Sequence, residues 1–426
     1  MSVRGSVGLV AEIALAVGAL AASIVILAPK PQTGGEDLVQ DYLSARALLA
    51  GEDPYQPLQP LRGRMGLPAS TQFEMKSEYN PHPPIAVLLS VPIAWLPFDE
   101  AYRVHCVIQV VLLGVAWVFC CRLAGIRSPA LSVAGGTLLG LWPPVWGGLD
   151  WGQPVGVLAI LAVALWTLVP AEPDAPSEGD AASVKAASPS LGALGSAETA
   201  FGLLLVIGCL VRPLFAGFAA TAGRWTVPRL TAVAVPAVGI FLGSFLIVGV
   251  TPWDWYVQAT QVRGFTAAGS SIPAVLHLSA AVGVVGFVLW VTFTAFLASR
   301  GLPAREATAV GLIGGLLWYP LAWFHYEVVL LPIGIWAAGE AGRRRHWFTL
   351  LAVAAYVALR FIPPYARIAG SMTWLPVVGR LCLLAACGML AFTEAARRRR
   401  ERTLAIASLP QSPPSPTQSV ARVARS

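Results

Sequence analysis

Long apolar runs recur from one end of this chain to the other, and short arginine clusters separate them. A hydrocarbon core about 30 Å thick takes about 20 residues of α-helix to cross. Runs close to that length stand at 6–28, 84–98, 102–121, 129–146, 154–170, 198–222, 228–250, 274–299, 305–320, 324–340, 347–362 and 374–395. Backbone amides in lipid must be paired inside the spanning structure, which leaves helices or a closed barrel. These runs are continuous rather than alternating, so they predict helices. Of the 426 residues, 56% are hydrophobic and 12% charged, where a soluble domain carries roughly a quarter charged residues. The expected fold class is therefore all-α integral membrane, a multi-span bundle of about 11 to 13 spans.

The net charge of +7 raises nucleic acid as a partner. The basic residues argue against it, because they sit between the apolar runs: Arg122/Arg127, Arg224/Arg229, Arg300/Arg305, Arg343–Arg345 and Arg397–Arg400. That is the positive-inside pattern, and it accounts for the charge with membrane lipids as the surroundings. It predicts a multi-pass protein of the plasma membrane with a cytoplasmic C-terminus. Counting backwards from Arg397–Arg400 and forwards from Arg4 gives topologies that differ by one crossing between 84 and 128. The short stretch 84–98, with Pro92 and Pro97, is where a segment that dips without spanning would reconcile them.

The six cysteines lie in or beside apolar runs without CxxC spacing, which predicts buried thiols rather than disulfides or a metal site. The first run, 6–28, is long and leads into further spans, so it is expected to be an uncleaved anchor. Within a membrane domain spanning 1–400, the Ala-, Ser- and Pro-rich stretch 171–197 is expected to be a flexible linker, and 401–426 a disordered tail. The run 198–222 holds Val211-Arg212-Pro213 at its centre. Proline interrupts the helical ladder and an arginine at membrane depth is costly, so two half-helices are expected to meet at Arg212.

Chemistry is expected in the first loop, 29–83. Leu38, Tyr42, Ala45 and Leu49 fall on one face of a helix over 37–50, and Asp37, Asp41 and Ser44 on another. This predicts an amphipathic helix on the outer membrane surface, stopped by Gly51. Asp37 has two readings: the first residue of a capping box with Gln40, or a reactive carboxylate. Asp41 is read equally well as part of a solvated face. His82, between Pro81 and Pro83, is a solvated interfacial histidine or a ligand-binding one. His325 lies in the aromatic stretch Trp318–Glu327, which is an interfacial belt or, with Glu327, a site that holds a phosphate or a sugar hydroxyl. Arg212 is a snorkelling arginine or a bidentate partner for phosphate. The chain has no P-loop, no GxGxxG, no HExxH and no Ser/His/Asp signature, and its five histidines are scattered; no cofactor and no metal are expected.

These residues resemble glycosyltransferase family 87, the membrane glycosyltransferases that use polyprenyl-phosphate sugars and include the polyprenol-phosphate-mannose mannosyltransferases. Asp37-Leu38…Tyr42…Ala45-Arg46-Ala47-Leu48-Leu49-Ala50-Gly51…Asp53-Pro54-Tyr55 is similar to that family's first outer loop. Pro83-Pro84 with Leu96-Pro97 resembles its Tyr-Pro-Pro segment, and Gly152-Gln153 its Gly-Gln-Val-Asn motif. Arg212-Pro213 stands where Lys-Pro is usual, and Tyr319–His325 resembles Ser-Pro-x-Ser-Trp-x-His. The matches cover most of 1–400. Departures are His82 for the usual tyrosine, Pro154 for valine and Tyr326 for a second histidine, and they leave the sugar and the acceptor unassigned. The resemblance implies a GT-C-type bundle with an outer-face active-site loop. It also implies inverting transfer of a hexose, mannose in the best-known members, from a polyprenyl-phosphate-sugar donor to a lipid or glycan acceptor. Asp37 would be the catalytic base, and Asp41, Tyr42, Arg46, His82, Gln153, Arg212 and His325 would bind substrate, with Arg212 and His325 facing the departing phosphate. The rival readings are a transporter or flippase of lipid-linked sugars, which needs ionisable residues deep in several spans, and a non-catalytic membrane protein.

Overall fold

A computed structural model of the chain describes residues 3–27, 34–67, 79–80, 82–169, 191–212, 214–218, 227–254, 257, 271–320, 322–361 and 374–407. All regular structure among them is helical. Among the described residues, four helices are long and apolar enough to cross a membrane: Val7–Ile26, Phe98–Leu123, Ala280–Ser299 and Leu375–Glu401. Shorter apolar helices, including Pro129–Leu141, Val155–Leu168 and Trp347–Arg360, pack among them. Large apolar side chains point outward, among them Leu242 and Leu246 on the helix Val227–Val248 and Leu289, Phe293 and Phe296 on Ala280–Ser299. Water would not tolerate so continuous an apolar surface, and lipid does. The protein is a helical membrane protein.

The N-terminal helix α1 (Val3–Leu27) runs alongside α5 (Phe98–Leu123) and α6 (Pro129–Leu141). Small residues set that approach: a Cβ at Gly136 would lie 2.6 Å from the Ala16 carbonyl, and one at Gly114 2.3 Å from Val17. Close backbone approach through small residues is how helices associate in lipid, where burial of apolar surface gives no driving force. Arg122 at the end of α5 pairs with Glu12 of α1 at 2.9 Å. A charge pair between two apolar helices is the arrangement that makes either charge tolerable at such a position.

Between α1 and α5 the chain forms α2 (Glu36–Leu49), α3 (Leu58–Arg64), α4 (Pro84–Leu88) and a 3-10 turn, Val91–Ile93. The segment 84–98 is thus a five-residue helix and a turn. At 1.5 Å per residue neither approaches the width of a bilayer, and Pro92 and Pro97 account for the breaks. Helix α2 differs from the expected surface helix. Leu38, Val39, Tyr42, Leu43, Ala45 and Ala47 are all buried, in a small core with Tyr55, Leu58, Leu61, Val87, Ile93 and Phe98. The chain folds its own short helices over α2, so its apolar face meets protein instead of lipid. Gly51, at φ +71°, follows the helix, and its N–H donates to the Leu48 carbonyl.

After α6 the chain breaks at Trp142 and resumes as α7 (Pro143–Trp151), which turns through Gly152 into α8 (Val155–Leu168). The run expected at 129–146 is therefore two helices, again split before a proline. Helix α9 (Leu191–Val211) ends immediately before Arg212, and a 3-10 turn occupies 214–218. Residues 191–197 belong to α9 and 401–407 to the last helix, so the expected linker and tail are shorter than composition suggested. Their remaining parts, 171–190 and 408–426, lie outside the described residues.

Helices α10 (Val227–Val248), α11 (Ile272–Val275), α12 (Ala280–Ser299) and α13 (Ala304–Trp318) follow, then a 3-10 turn Phe324–Leu330. Helices α14 (Leu331–Arg343), α15 (Trp347–Arg360) and α16 (Leu375–Ala407) complete the fold. The large core lies among α5, α8, α9 and α13 to α16 and includes Trp166, Phe215 and Phe218. The polar residues of interest lie where this core meets the small one built around α2.

Candidate active site

Two glycines let α2 reach the turn between α7 and α8. Gly152 has φ +74°, and a Cβ there would lie 2.5 Å from Leu38 Cβ. Gly35, at φ +91°, directly precedes α2 and sits against the Tyr102 ring, where a Cβ would meet a ring carbon at 2.7 Å. The Gly35 N–H donates to the Asp150 carbonyl at 2.7 Å, and Tyr102 Oη–H donates to the Leu149 carbonyl at 3.1 Å. The last carbonyls of a helix lack partners of their own, and here the start of α2 and a side chain of α5 supply them. The opening of α8 is held in the same way, since Gln109 Oε1 accepts from the Gly156 and Val157 N–H groups at 2.9 and 3.1 Å.

Gln153 sits in that turn, with its side chain bridging two of the expected site residues. Its Nε2–H donates to Asp37 Oδ2. Its Oε1 accepts from Arg212 Nη2 at 2.9 Å. The same Nη2 lies 3.2 Å from His82 Nε2, and His82 Nδ1 lies 2.8 Å from Asp41 Oδ1. Asp37, Gln153, Arg212, His82 and Asp41 therefore form one continuous polar chain drawn from the first loop, the α7–α8 turn and the end of α9. Arginine can only donate, so His82 Nε2 is the acceptor from Arg212, and Nδ1 carries the hydrogen donated to Asp41.

Asn80 fixes the far end. Its Nδ2 lies 3.0 Å from Asp41 Oδ1 and 2.9 Å from Ser44 Oγ, and its Oδ1 accepts from the His82 N–H at 2.9 Å. Tyr55 Oη–H donates to the His82 carbonyl at 2.7 Å. Asp37, Asp41 and Ser44 thus share the face that their i, i+4, i+7 spacing predicts. The capping box does not form: Gly35 precedes the helix, Glu36 opens it, and Gln40 Nε2 lies 3.4 Å from Asp37 Oδ1. His82 is the partner of Asp41 rather than a solvated histidine.

The two carboxylates are tuned in opposite directions. Burial raises Asp37 above the ordinary aspartate value, only partly offset by the Gln153 hydrogen bond and by the charge of Arg212. Burial also disfavours charge on Asp41, but the hydrogen bonds that His82 and Asn80 donate to it, with the charge of Arg212, outweigh that and hold Asp41 below the ordinary value.

Arg212 is almost fully buried, and its Nε–H has no hydrogen-bond partner among the described residues. Its Nη1 donates to the Val211 carbonyl at 3.0 Å, and its guanidinium lies 5.8 Å from the centre of the Tyr326 ring. His325 packs edge-on to Tyr326 with ring centres 4.6 Å apart, so it is joined to the site through that ring.

Three expectations change. Tyr42 is fully buried, donates to the Leu96 carbonyl at 2.8 Å and packs on Phe98, so its place on the apolar face of α2 makes it a structural residue. Arg46 donates to Tyr42 Oη at 3.1 Å and supports that contact instead of entering the polar chain. Glu327 is no partner for a ligand beside His325: Arg360 and Arg380 both donate to its Oε1, and Tyr356 donates to Oε2 at 2.9 Å. Asn80 and Tyr326 were missed. Asn80 was visible beside Pro81-His82, but its contacts span the loop and no spacing rule exposes them. Among the described residues, no group of three or more His, Cys, Asp or Glu side chains could hold a metal ion.

Chemically, the arrangement offers a half-buried carboxylate able to take a proton and, one amide away, a buried guanidinium able to bind an anion. No family model, curated protein or solved structure matches the chain.

Proposed function

We propose that the protein is a glycosyltransferase of the GT-C type, resembling family 87, that transfers a hexose from a polyprenyl-phosphate-sugar donor to a lipid or glycan acceptor. The observation that carries this reading is the link from Asp37 through Gln153 to Arg212, whose buried Nε–H has no partner among the described residues. A proton acceptor and an anion-binding group so joined match the two ends of an inverting displacement. The acceptor hydroxyl gives its proton to Asp37 as its oxygen bonds to the anomeric carbon. The anomeric carbon–oxygen bond to phosphate breaks, and the electron pair leaves with the polyprenyl phosphate, whose growing charge Arg212 stabilises. Gln153 holds the base in register, and Tyr326, backed by His325, supports the guanidinium.

The address suits that chemistry. A donor carried on a lipid arrives laterally through the membrane, and no nucleotide-binding fold is required. If 84–98 does not cross the bilayer, the two sequence topologies agree. The site then lies at the outer face of the plasma membrane and the C-terminus in the cytoplasm. The charges inside the bundle give the transporter reading little support, since Glu327, Arg360 and Arg380 are engaged with one another.

Purified protein reconstituted in vesicles with labelled polyprenyl-phosphate-hexose and a panel of lipid and glycan acceptors tests the reading. Label should appear on an acceptor. Movement of the donor between leaflets with no transfer would favour the flippase instead.

A further inference from the structure

Arg212 has more claims on its guanidinium than it can meet once an anion arrives. A guanidinium grips an oxyanion side-on through Nε–H and the Nη2–H parallel to it. This chain shows the grip at Arg397, whose Nε and Nη2 both donate to Glu394. At Arg212 the Nε–H has no partner among the described residues, while Nη2 donates to both Gln153 Oε1, at 2.9 Å, and His82 Nε2, at 3.2 Å. Nη2 has two hydrogens, so a phosphate held side-on must displace one of these partners. Both partners are held at their far ends, Gln153 by Asp37 and His82 by Asp41, and Gln153 makes the shorter contact to Arg212. His82 is the one to yield.

His82 does not collapse when it yields. Its Nδ1–H stays on Asp41, its backbone N–H on Asn80 and its carbonyl on Tyr55. The ring therefore stays in place with a bare lone pair on Nε2, next to the anion and oriented by a carboxylate behind it. A lone pair so placed suits one partner class, a hydroxyl of the sugar or of the acceptor.

Resting on the proposed function, we propose that His82 is a donor-gated hydroxyl-binding residue. Arg212 masks its Nε2 in the empty site, and the donor's phosphate takes Arg212 over and exposes it. Binding is then ordered, donor before acceptor, with the phosphate acting as the signal. No bond is made or broken at His82; the gate exchanges one hydrogen bond for another.

The test uses the full chain in detergent and decaprenyl monophosphate as the probe. Diethyl pyrocarbonate acylates an imidazole nitrogen with an available lone pair, and mass spectrometry reads the rate at His82. Decaprenyl monophosphate should bind and raise that rate by at least about fivefold, the low end of ordinary coupling between sites. Decaprenol, which lacks the phosphate, should leave it unchanged. In Arg212→Ala the rate should be high with or without the lipid; the two wild-type arms stand if that variant fails to fold. Binding of decaprenyl monophosphate to the wild type with no rise at His82, or with protection, overturns the gate and leaves the proposed function standing. Failure of the wild type to bind decaprenyl monophosphate at all overturns the proposed function and the gate with it.

Discussion

Asp37 and Asp41 lie one turn apart on the same face of one helix, and the structure shifts their proton affinities in opposite directions. Asp37 shares Gln153, a neutral amide, and burial raises its affinity for a proton. Asp41 is half-buried as well, but it faces His82 and Asn80, which donate to it and favour its ionised form. Two like residues with divergent environments are the pattern that separates a proton-transferring group from a supporting one.

A base works in its deprotonated form, so a raised Asp37 moves the acidic limb of activity upward. Transfer, followed as kcat/KM against pH, should fall off at a pH above the ordinary aspartate value of about 3.9. Gln153→Leu removes a hydrogen bond that favours the charged carboxylate, and should move that limb higher still. A limb unchanged in this variant would mean that Gln153 does not act on the base.

Asp41 should show itself in stability. Its folded-state affinity for protons is below that of the unfolded chain, so it stabilises the fold above about pH 3.9. That contribution is lost as pH falls through the depressed folded value. Asp41→Asn should therefore lower Tm in detergent at neutral pH, and its deficit against the wild type should shrink on acidification below about pH 4. A deficit independent of pH would place the cost in packing.

Gly152→Ala tests the approach of α2 to the α7–α8 turn. The added methyl meets Leu38 at a backbone φ of +74°, where strain costs on the order of 1–3 kcal/mol. Stability should drop by about that much. Transfer should fall by an order of magnitude or more, because displacing Gln153 misaligns the base. Thermal unfolding and a rate assay on one preparation separate the two effects.

The Glu327 cluster is a prediction about folding. Glu327→Gln leaves Arg360 and Arg380 buried without their carboxylate, and breaking a buried pair in this way costs about 3–5 kcal/mol. Equilibrium unfolding in mixed detergent should show it. A near-neutral effect would indicate that water or lipid headgroups reach the cluster.

The helical membrane class was legible because the apolar runs leave the backbone no other solution. The face shared by Asp37, Asp41 and Ser44 was legible too, since helical spacing dictates it. Tyr42 could have been placed from the same helical wheel, because it lies one turn after Leu38 on the apolar face. The resemblance pulled it to the site instead. Contacts between distant segments were harder. Nothing in local sequence brings Asn80 to Asp41, or Gln153 between Asp37 and Arg212, because those contacts depend on how α2 seats on the α7–α8 turn. The Glu327 cluster was hidden for the same reason, as its arginines come from α15 and α16. The enclosure of α2 escaped as well, since an apolar face is the same pattern whether protein or lipid covers it.

The central claim is that Asp37 takes the acceptor's proton during sugar transfer, and Asp37→Asn tests it most directly. The substitution keeps the shape of the side chain and removes its basicity. Single-turnover transfer from polyprenyl-phosphate-hexose should be measured in preparations whose Tm and decaprenyl monophosphate binding match the wild type. The account predicts a rate lower by roughly 10²- to 10⁴-fold, the usual contribution of a general base. A rate within a fewfold of the wild type would contradict it.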